Sequence, residues 1–291
     1  MALPAVAPDD EPGEDDLGGL AGLMVGRRVV VLTGAGCSTE SGIPDYRGAG
    51  RPPRPRGPIQ HDAYLRKPEV RQRYWARATL GWARFSGAEP NPAHRALVAL
   101  ERAGMVTGLI TQNVDRLHQQ AGSHRVIELH GALADVICLG CGSFEARAAL
   151  QARLLAANPG WLARAAVLAP DGDADLPDED VATFRVPACL DCGGVLKPDV
   201  VFFGGNVARP ILEAAWALID EAQVLLVVGS SLAVYSGYRF VLRARDRGMG
   251  ICLLNLGPTR ADGLATARVA RRAGEALTRL AALMGAPALE L

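Results

Sequence analysis

"VVVLTGAGCSTESGIPDYR", residues 29–47, decides the fold. Four aliphatic residues, Val29–Leu32, run without alternation into Thr33-Gly34-Ala35-Gly36. An unalternated aliphatic run suits a strand buried on both faces, as in a parallel sheet. The glycine-bounded turn then suits the phosphate-binding end of a βα unit, with a helix N-terminus expected behind it. The third glycine of the usual dinucleotide fingerprint is missing, since position 39 is Thr39. No acidic residue follows in "GAGRPPRPRGP", residues 48–58, where a dehydrogenase places the group that holds the adenosine ribose. The turn therefore predicts a dinucleotide used for something other than ordinary hydride transfer.

Outward from this stretch, strand-like runs recur at Val29–Leu32, Leu109–Thr111, Val126–Leu129, Asp199–Phe203, Val224–Val228 and Ile251–Leu254. Helical patterns lie between several of them. "NPAHRALVALERAG" offers Asn91 as N-cap, Pro92 in the first turn and Gly104 past the last. "ILEAAWALIDEA", "VLLVVGSS", "GYRFVLRARDRG" and "ICLLNLG" alternate as a βαβ unit. The fold expected is α/β, a doubly wound parallel Rossmann-like sheet built from residues 21–47, 91–134 and 199–291. Segments 48–90 and 135–198 break the pattern. They are read as insertions forming a smaller module: a helical cofactor loop and a zinc ribbon. Residues 1–20 read as a disordered tail.

The 31 basic and 31 acidic residues cancel, so no bulk field favours nucleic acid or an anionic membrane. No apolar run reaches the ~18–20 residues of a membrane span. The acidic start "MALPAVAPDDEPGEDDL" resembles neither a secretory signal nor a transit peptide, so a cytoplasmic protein is expected.

Four of the six cysteines form two C-x2-C pairs, Cys138/Cys141 and Cys189/Cys192, each followed by glycine. Two such knuckles supply the four thiolates of a closed tetrahedral zinc site, one structural Zn2+ with no position open for chemistry. Redox or disulfide pairing is the competing reading. Cys252 lies in an apolar run and reads as core.

Ligands of doubly wound sheets sit at the carboxyl ends of the strands. Standing there are Gly34-Ala35-Gly36, the stretch "TQNVDRLH", the stretch "LHG", Gly229-Ser230-Ser231 and Asn255-Leu256-Gly257. Five small or polar strand ends together suit a polyphosphate and riboses.

The stretches "GAGCSTESGIPDYR", "TQNVDRLH", "ELHG", "KPDVVFFG", "VVGSSLAVYS" and "LNLGPT", with the two cysteine pairs, follow the order and spacing of the sirtuin family. The resemblance spans about residues 22–285. "RQRYWAR", "VYSGYRF" and the segment before Cys189 look most like its class II branch, which has many bacterial members. It implies an NAD-dependent protein-lysine deacylase that moves the acyl group from lysine to ADP-ribose and releases nicotinamide. Its partners would be acylated-lysine proteins. Protein mono-ADP-ribosylation and a non-catalytic NAD-sensing zinc module are the alternatives.

The resemblance sets Thr39, Gln112, Ser230, Ser231 and Asn255 around the phosphates and riboses. It sets Asp45, Tyr46 and Arg47 in a loop closing over NAD. Ile43, Asn113 and Asp115 would surround the nicotinamide, with Val114 and Ala273 as further cofactor contacts. His130 in "ELHG" is the expected general base, and Asn113 and Asp115 share its catalytic set. An extended peptide would pair with Val201-Phe202-Phe203-Gly204 and with the segment at Tyr235. Core packing is the other reading for the two phenylalanines. Tyr74 and Arg77, three apart on a helix, could together read an acidic acyl group. Alternatively Tyr74 packs under the cofactor loop while Arg77 faces water.

Overall fold

The computed structural model describes residues 15–45, 58–163, 167–168, 174–175 and 181–287. β1 (Val29–Thr33) is buried along its whole length. Val29 and Val31 enter one core, and Val30 and Leu32 enter another. That double burial is why the run shows no polar alternation. Around β1 stand β2 (Val106–Thr111), β3 (Val126–Glu128), β9 (Val224–Val228), β10 (Gly250–Leu254) and β11 (Ala267–Val269). All are parallel, in the order β11-β10-β9-β1-β2-β3. The order grows outward on both sides of β1, as a doubly wound sheet does.

One face is covered by α1 (Asp15–Met24), α4 (Pro92–Arg102) and α9 (Ala273–Leu283). The other carries α7 (Arg209–Glu221) and α8 (Tyr235–Asp246). The α4 entry follows its sequence signals. The Asn91 side chain accepts the Ala93 N–H at 2.8 Å, and His94 Nδ1 accepts the Asn91 N–H at 3.2 Å. Gly104 lies past the end at φ +72°.

The smaller module has its own core around Tyr64, Trp75, Leu150, Phe184 and Leu196. It comprises α2 (His61–Arg66), α3 (Pro68–Ser86) and α6 (Arg147–Ala157). Its antiparallel sheet has the order β5-β4-β8, formed by Phe144–Ala146, Gly131–Cys138 and Leu196–Val200. A short antiparallel pair, β6 (Val167–Leu168) and β7 (Ala174–Asp175), follows α6 in the chain.

Three expectations change. Residues 15–20 are not tail: they open α1, and Leu17, Leu20 and Met24 are buried in the main core. The acidic surroundings hid an i, i+3, i+7 apolar stripe. The run Asp199–Phe203 is not a strand of the parallel sheet. Its start belongs to β8, which pairs antiparallel with β4, and Gly131 sits opposite Val200. β4 begins at Gly131, so the chain crosses into the small sheet directly after His130. β11, unremarked in the sequence, fills the vacated place in the parallel sheet. Finally, the β1 turn leads into two short 3-10 turns, Ala35–Cys37 and Thr39–Ser41, and not an α-helix N-terminus.

Candidate active site

The strand ends and the small module face each other across a cavity of about 1590 Å³. The β1 turn supplies Gly34, Ala35, Gly36 and Thr39, with Ile43 and Asp45 beyond. Gln112, Asn113, Val114 and Asp115 follow β2, and His130 follows β3. Gly229, Ser230 and Ser231 follow β9, Asn255, Leu256 and Gly257 follow β10, and Ala273 opens α9. Tyr46 and Arg47 lie outside the described residues.

The glycines have a duty the sequence did not reveal. Gly34 N–H donates to Val228 O at 3.0 Å, and Gly36 N–H donates to Gly229 O at 2.8 Å. A Cβ on Gly34 would sit 2.7 Å from Ser230 Cβ, and one on Gly229 would sit 2.4 Å from Cys37 N. Gly229 also holds φ +60°. The glycines therefore let the β1 and β9 turns interlock. Two N–H groups expected to meet a pyrophosphate are used in that lock.

Behind the turn, one hydroxyl organises two functional groups. Ser38 Oγ donates to Asp115 Oδ2 at 2.7 Å and accepts from Asn113 Nδ2 at 2.9 Å. Asn113 Nδ2 also donates to Gly34 O at 3.1 Å. Asp115 Oδ1 accepts the Leu117 N–H at 3.0 Å. Burial raises the Asp115 carboxyl, while the Leu117 and Ser38 hydrogen bonds pull it back. Between Asp115 and Leu117, Arg116 adopts a left-handed conformation at φ +61° and is tied to Glu128 and Asp135. Two ion pairs thus hold the loop in a shape a non-glycine residue resists.

His130 has both ring nitrogens engaged. Nδ1 lies 3.0 Å from Gln112 O, and Nε2 lies 2.8 Å from Ser236 Oγ. A carbonyl only accepts, so Nδ1 carries the proton and Nε2 keeps the lone pair. Burial lowers the His130 pKa, the Gln112 bond opposes this, and the charge on Arg239 lowers it further. The imidazole is neutral and basic at a defined atom. Gly131 makes this placement possible: it holds φ +75°, and a Cβ there would lie 2.0 Å from Asp199 O.

Of the peptide-facing candidates, Val201 N–H donates to His130 O at 2.9 Å. The Phe202 ring packs against Tyr64 and Tyr74, with centroids 5.0 and 5.3 Å away, and the residue also lines the cavity. Phe203 is partly exposed at the cavity. Tyr235 lines it too, but opens α8 and offers no strand; only the extended Val234 before it does. Tyr74 reaches the cavity wall. Arg77 is buried in the module and is not among the residues lining the cavity. From Tyr74 to Thr79 every residue of α3 is buried, so a shared helix face did not bring both side chains to the cavity.

Sequence reading missed Ser38 and Ser236, both next to motif residues but of a type too common to signal a role. It also missed Glu40, whose Oε2 accepts Gly274 N–H at 2.8 Å in the first turn of α9. An acid there suits the helix dipole.

The four paired cysteines bring their sulfurs within 4.8 Å of one another. The Cys138–Cys192 and Cys141–Cys189 sulfur separations are 3.5 and 3.8 Å, and no cysteine among them is in a disulfide. Gly140 and Gly194 N–H groups each point at a sulfur, at 3.3 Å. This donor set fits one closed zinc site.

A cleft at the carboxyl ends of a doubly wound parallel sheet, roofed by a four-thiolate module, defines a dinucleotide-binding α/β protein with a structural metal. The Sir2 family pattern matches residues 34–236. The chain belongs to that family. It is 51% identical over 277 residues to NAD-dependent protein deacetylase 1 of Streptomyces coelicolor, covering 95% of this chain and 93% of that one. It is 53% identical over 258 residues to the mitochondrial NAD-dependent protein lipoamidase sirtuin-4 of Bos taurus, covering 88% and 82%. Among solved structures, a Sir2–p53 peptide–NAD+ complex superimposes with TM-score 0.73 at 32% identity, covering 91% and 97%. NAD and one structural zinc are the cofactors: the strand-end amides and hydroxyls suit the first, the four thiolates the second.

Proposed function

We propose that this protein is an NAD-dependent protein-lysine deacylase, acting on acylated-lysine proteins. The observation that carries the reading is the neutral His130 at the cavity, with Nδ1–H held by Gln112 O and the Nε2 lone pair held by the Ser236 hydroxyl. NAD, when bound, supplies the ribosyl–nicotinamide bond whose cleavage provides an acceptor for the acyl group. The chain's residues do the rest. Ser38 and Gly34 O take both Asn113 amide hydrogens and Ser38 holds the Asp115 carboxylate, which leaves Asn113 Oδ1 and the Asp115 carboxylate as acceptors for the N–H groups of a carboxamide. Burying a carboxamide without such partners would cost about 1–3 kcal/mol. Gln112 O locks the His130 tautomer, so Nε2 carries the accepting lone pair; Ser236 O–H occupies it in this structure, and a substrate hydroxyl taking the serine's place would give its proton to Nε2. Thr39, Ser230, Ser231 and Asn255 offer hydroxyl and amide groups to phosphates and riboses. Val234 and Phe203–Gly204, both lining the cavity, are the segments assigned to an extended peptide, through backbone groups other than the Val234 and Phe203 carbonyls, which are already bonded.

Incubation with NAD and a panel of acyl-lysine peptides tests this. Nicotinamide release with acyl-ADP-ribose in the mass spectrum is the expected outcome. ADP-ribosylated protein without deacylation, or no nicotinamide from any peptide, would count against it.

A further inference from the structure

Arg239 is a cation with no carboxylate partner among the described residues. It lies on α8, one turn after Tyr235 and three residues after Ser236, and it lines the cavity. Its Nε is buried without a hydrogen-bond partner, and no carboxylate pairs with its guanidinium among the described residues. Its guanidinium lies over the ring of Tyr235, with Cζ 5.1 Å from the centroid. The neighbouring helical arginines differ: Arg243 and Arg247 both pair with Asp220, and Arg245 pairs with Asp246. A half-buried guanidinium with an orphaned donor is poorly satisfied by a ring face alone. It is best satisfied by a planar anion accepting two parallel N–H bonds.

Position narrows the anion. Ser236, three residues earlier on the same helix face, touches His130 Nε2, so Arg239 stands about one helical turn from the base. Tyr235, beneath the guanidinium, is more than half exposed. The guanidinium thus stands between the Ser236–His130 pair and the exposed Tyr235 ring. The strand-end groups proposed to meet phosphate, Ser230 and Thr39, come from β9 and β1.

We propose that Arg239 binds a carboxylate carried by the substrate, within one helical turn of the reacting acyl group. This rests on the deacylase reading. Two sources share the chemistry: the terminal carboxylate of a dicarboxylic acyl chain, or an acidic side chain beside the modified lysine. In either case it assigns to Arg239 the recognition that the sequence offered to Arg77.

The test compares kcat/KM for matched pairs on wild type, Arg239→Met and Arg239→Lys. One pair is glutaryl-lysine against its neutral glutaramide analogue. The other is acetyl-lysine flanked by Glu against the same peptide with Gln. Wild type should prefer the carboxylate member of at least one pair by about tenfold or more. Arg239→Met should collapse that ratio toward one, and Arg239→Lys should restore part of it. Equal use of both members by wild type would overturn the proposal, as would a ratio unmoved by Arg239→Met or a change confined to the KM for NAD. Absence of turnover on every peptide would instead refute the deacylase reading itself.

Discussion

A histidine becomes a base only when its surroundings fix both its charge and its tautomer. For His130 the Gln112 carbonyl fixes the tautomer, and burial with Arg239 keeps the ring neutral. His130→Ala should retain NAD binding yet lose ~10²–10⁴-fold in deacylation, the span of a general base. Near-normal turnover in that variant would assign the base elsewhere. The pH profile carries a sign. Protonation at Nε2 removes the accepting lone pair, so the rate falls as pH drops through the His130 pKa. That pKa is lowered, so the acid limb of kcat/KM should lie below the ordinary imidazole value of about 6.5. A half-maximum above that value would contradict the environment described. The motifs "TQNVDRLH" and "ELHG" and their resemblance marked His130, Asn113 and Asp115. The serines that hold them, Ser38 and Ser236, were not legible, because a hydroxyl's role depends on partners 75 and 106 residues away in sequence.

Among the elements, the cysteine knuckles were the most readable, because metal-ligand spacing is a local property. Their sulfurs converge from the end of β4 and from the turn before β8, where Cys138 sits opposite Leu196, so the ion clamps one end of the small sheet. Cys189→Ser should lose zinc and soluble yield together. A stable, zinc-free, fully active variant would show that the metal is dispensable. α1 was the least readable element. Its acidic, glycine-bearing sequence reads as tail, yet Leu20 is fully buried where α1 meets α9 and β11. Leu20→Ala should cost about 2–5 kcal/mol in a denaturant titration, as a buried leucine truncation does. A loss below about 0.5 kcal/mol would mean that α1 does not dock in solution. β8 misled for a different reason: a short aliphatic run does not declare its partner, and the zinc module claimed it before the parallel sheet could.

At the scale of the molecule, the parallel sheet was legible because unalternated strands at βαβ spacing admit few other folds. The cleft followed from the strand ends. What periodicity could not give was the seam between the two modules, where Gly131 turns the chain from β3 into β4 and sets His130 at their junction. That junction is the central claim, since it places His130, the proposed base, at the cavity between the parallel sheet and the small module. The measurement that tests it most directly is the stoichiometry of a single reaction containing NAD and an acyl-lysine peptide. For each lysine deacylated, the account predicts one nicotinamide released and one acyl group recovered on ADP-ribose. Free carboxylic acid formed without nicotinamide release would contradict it.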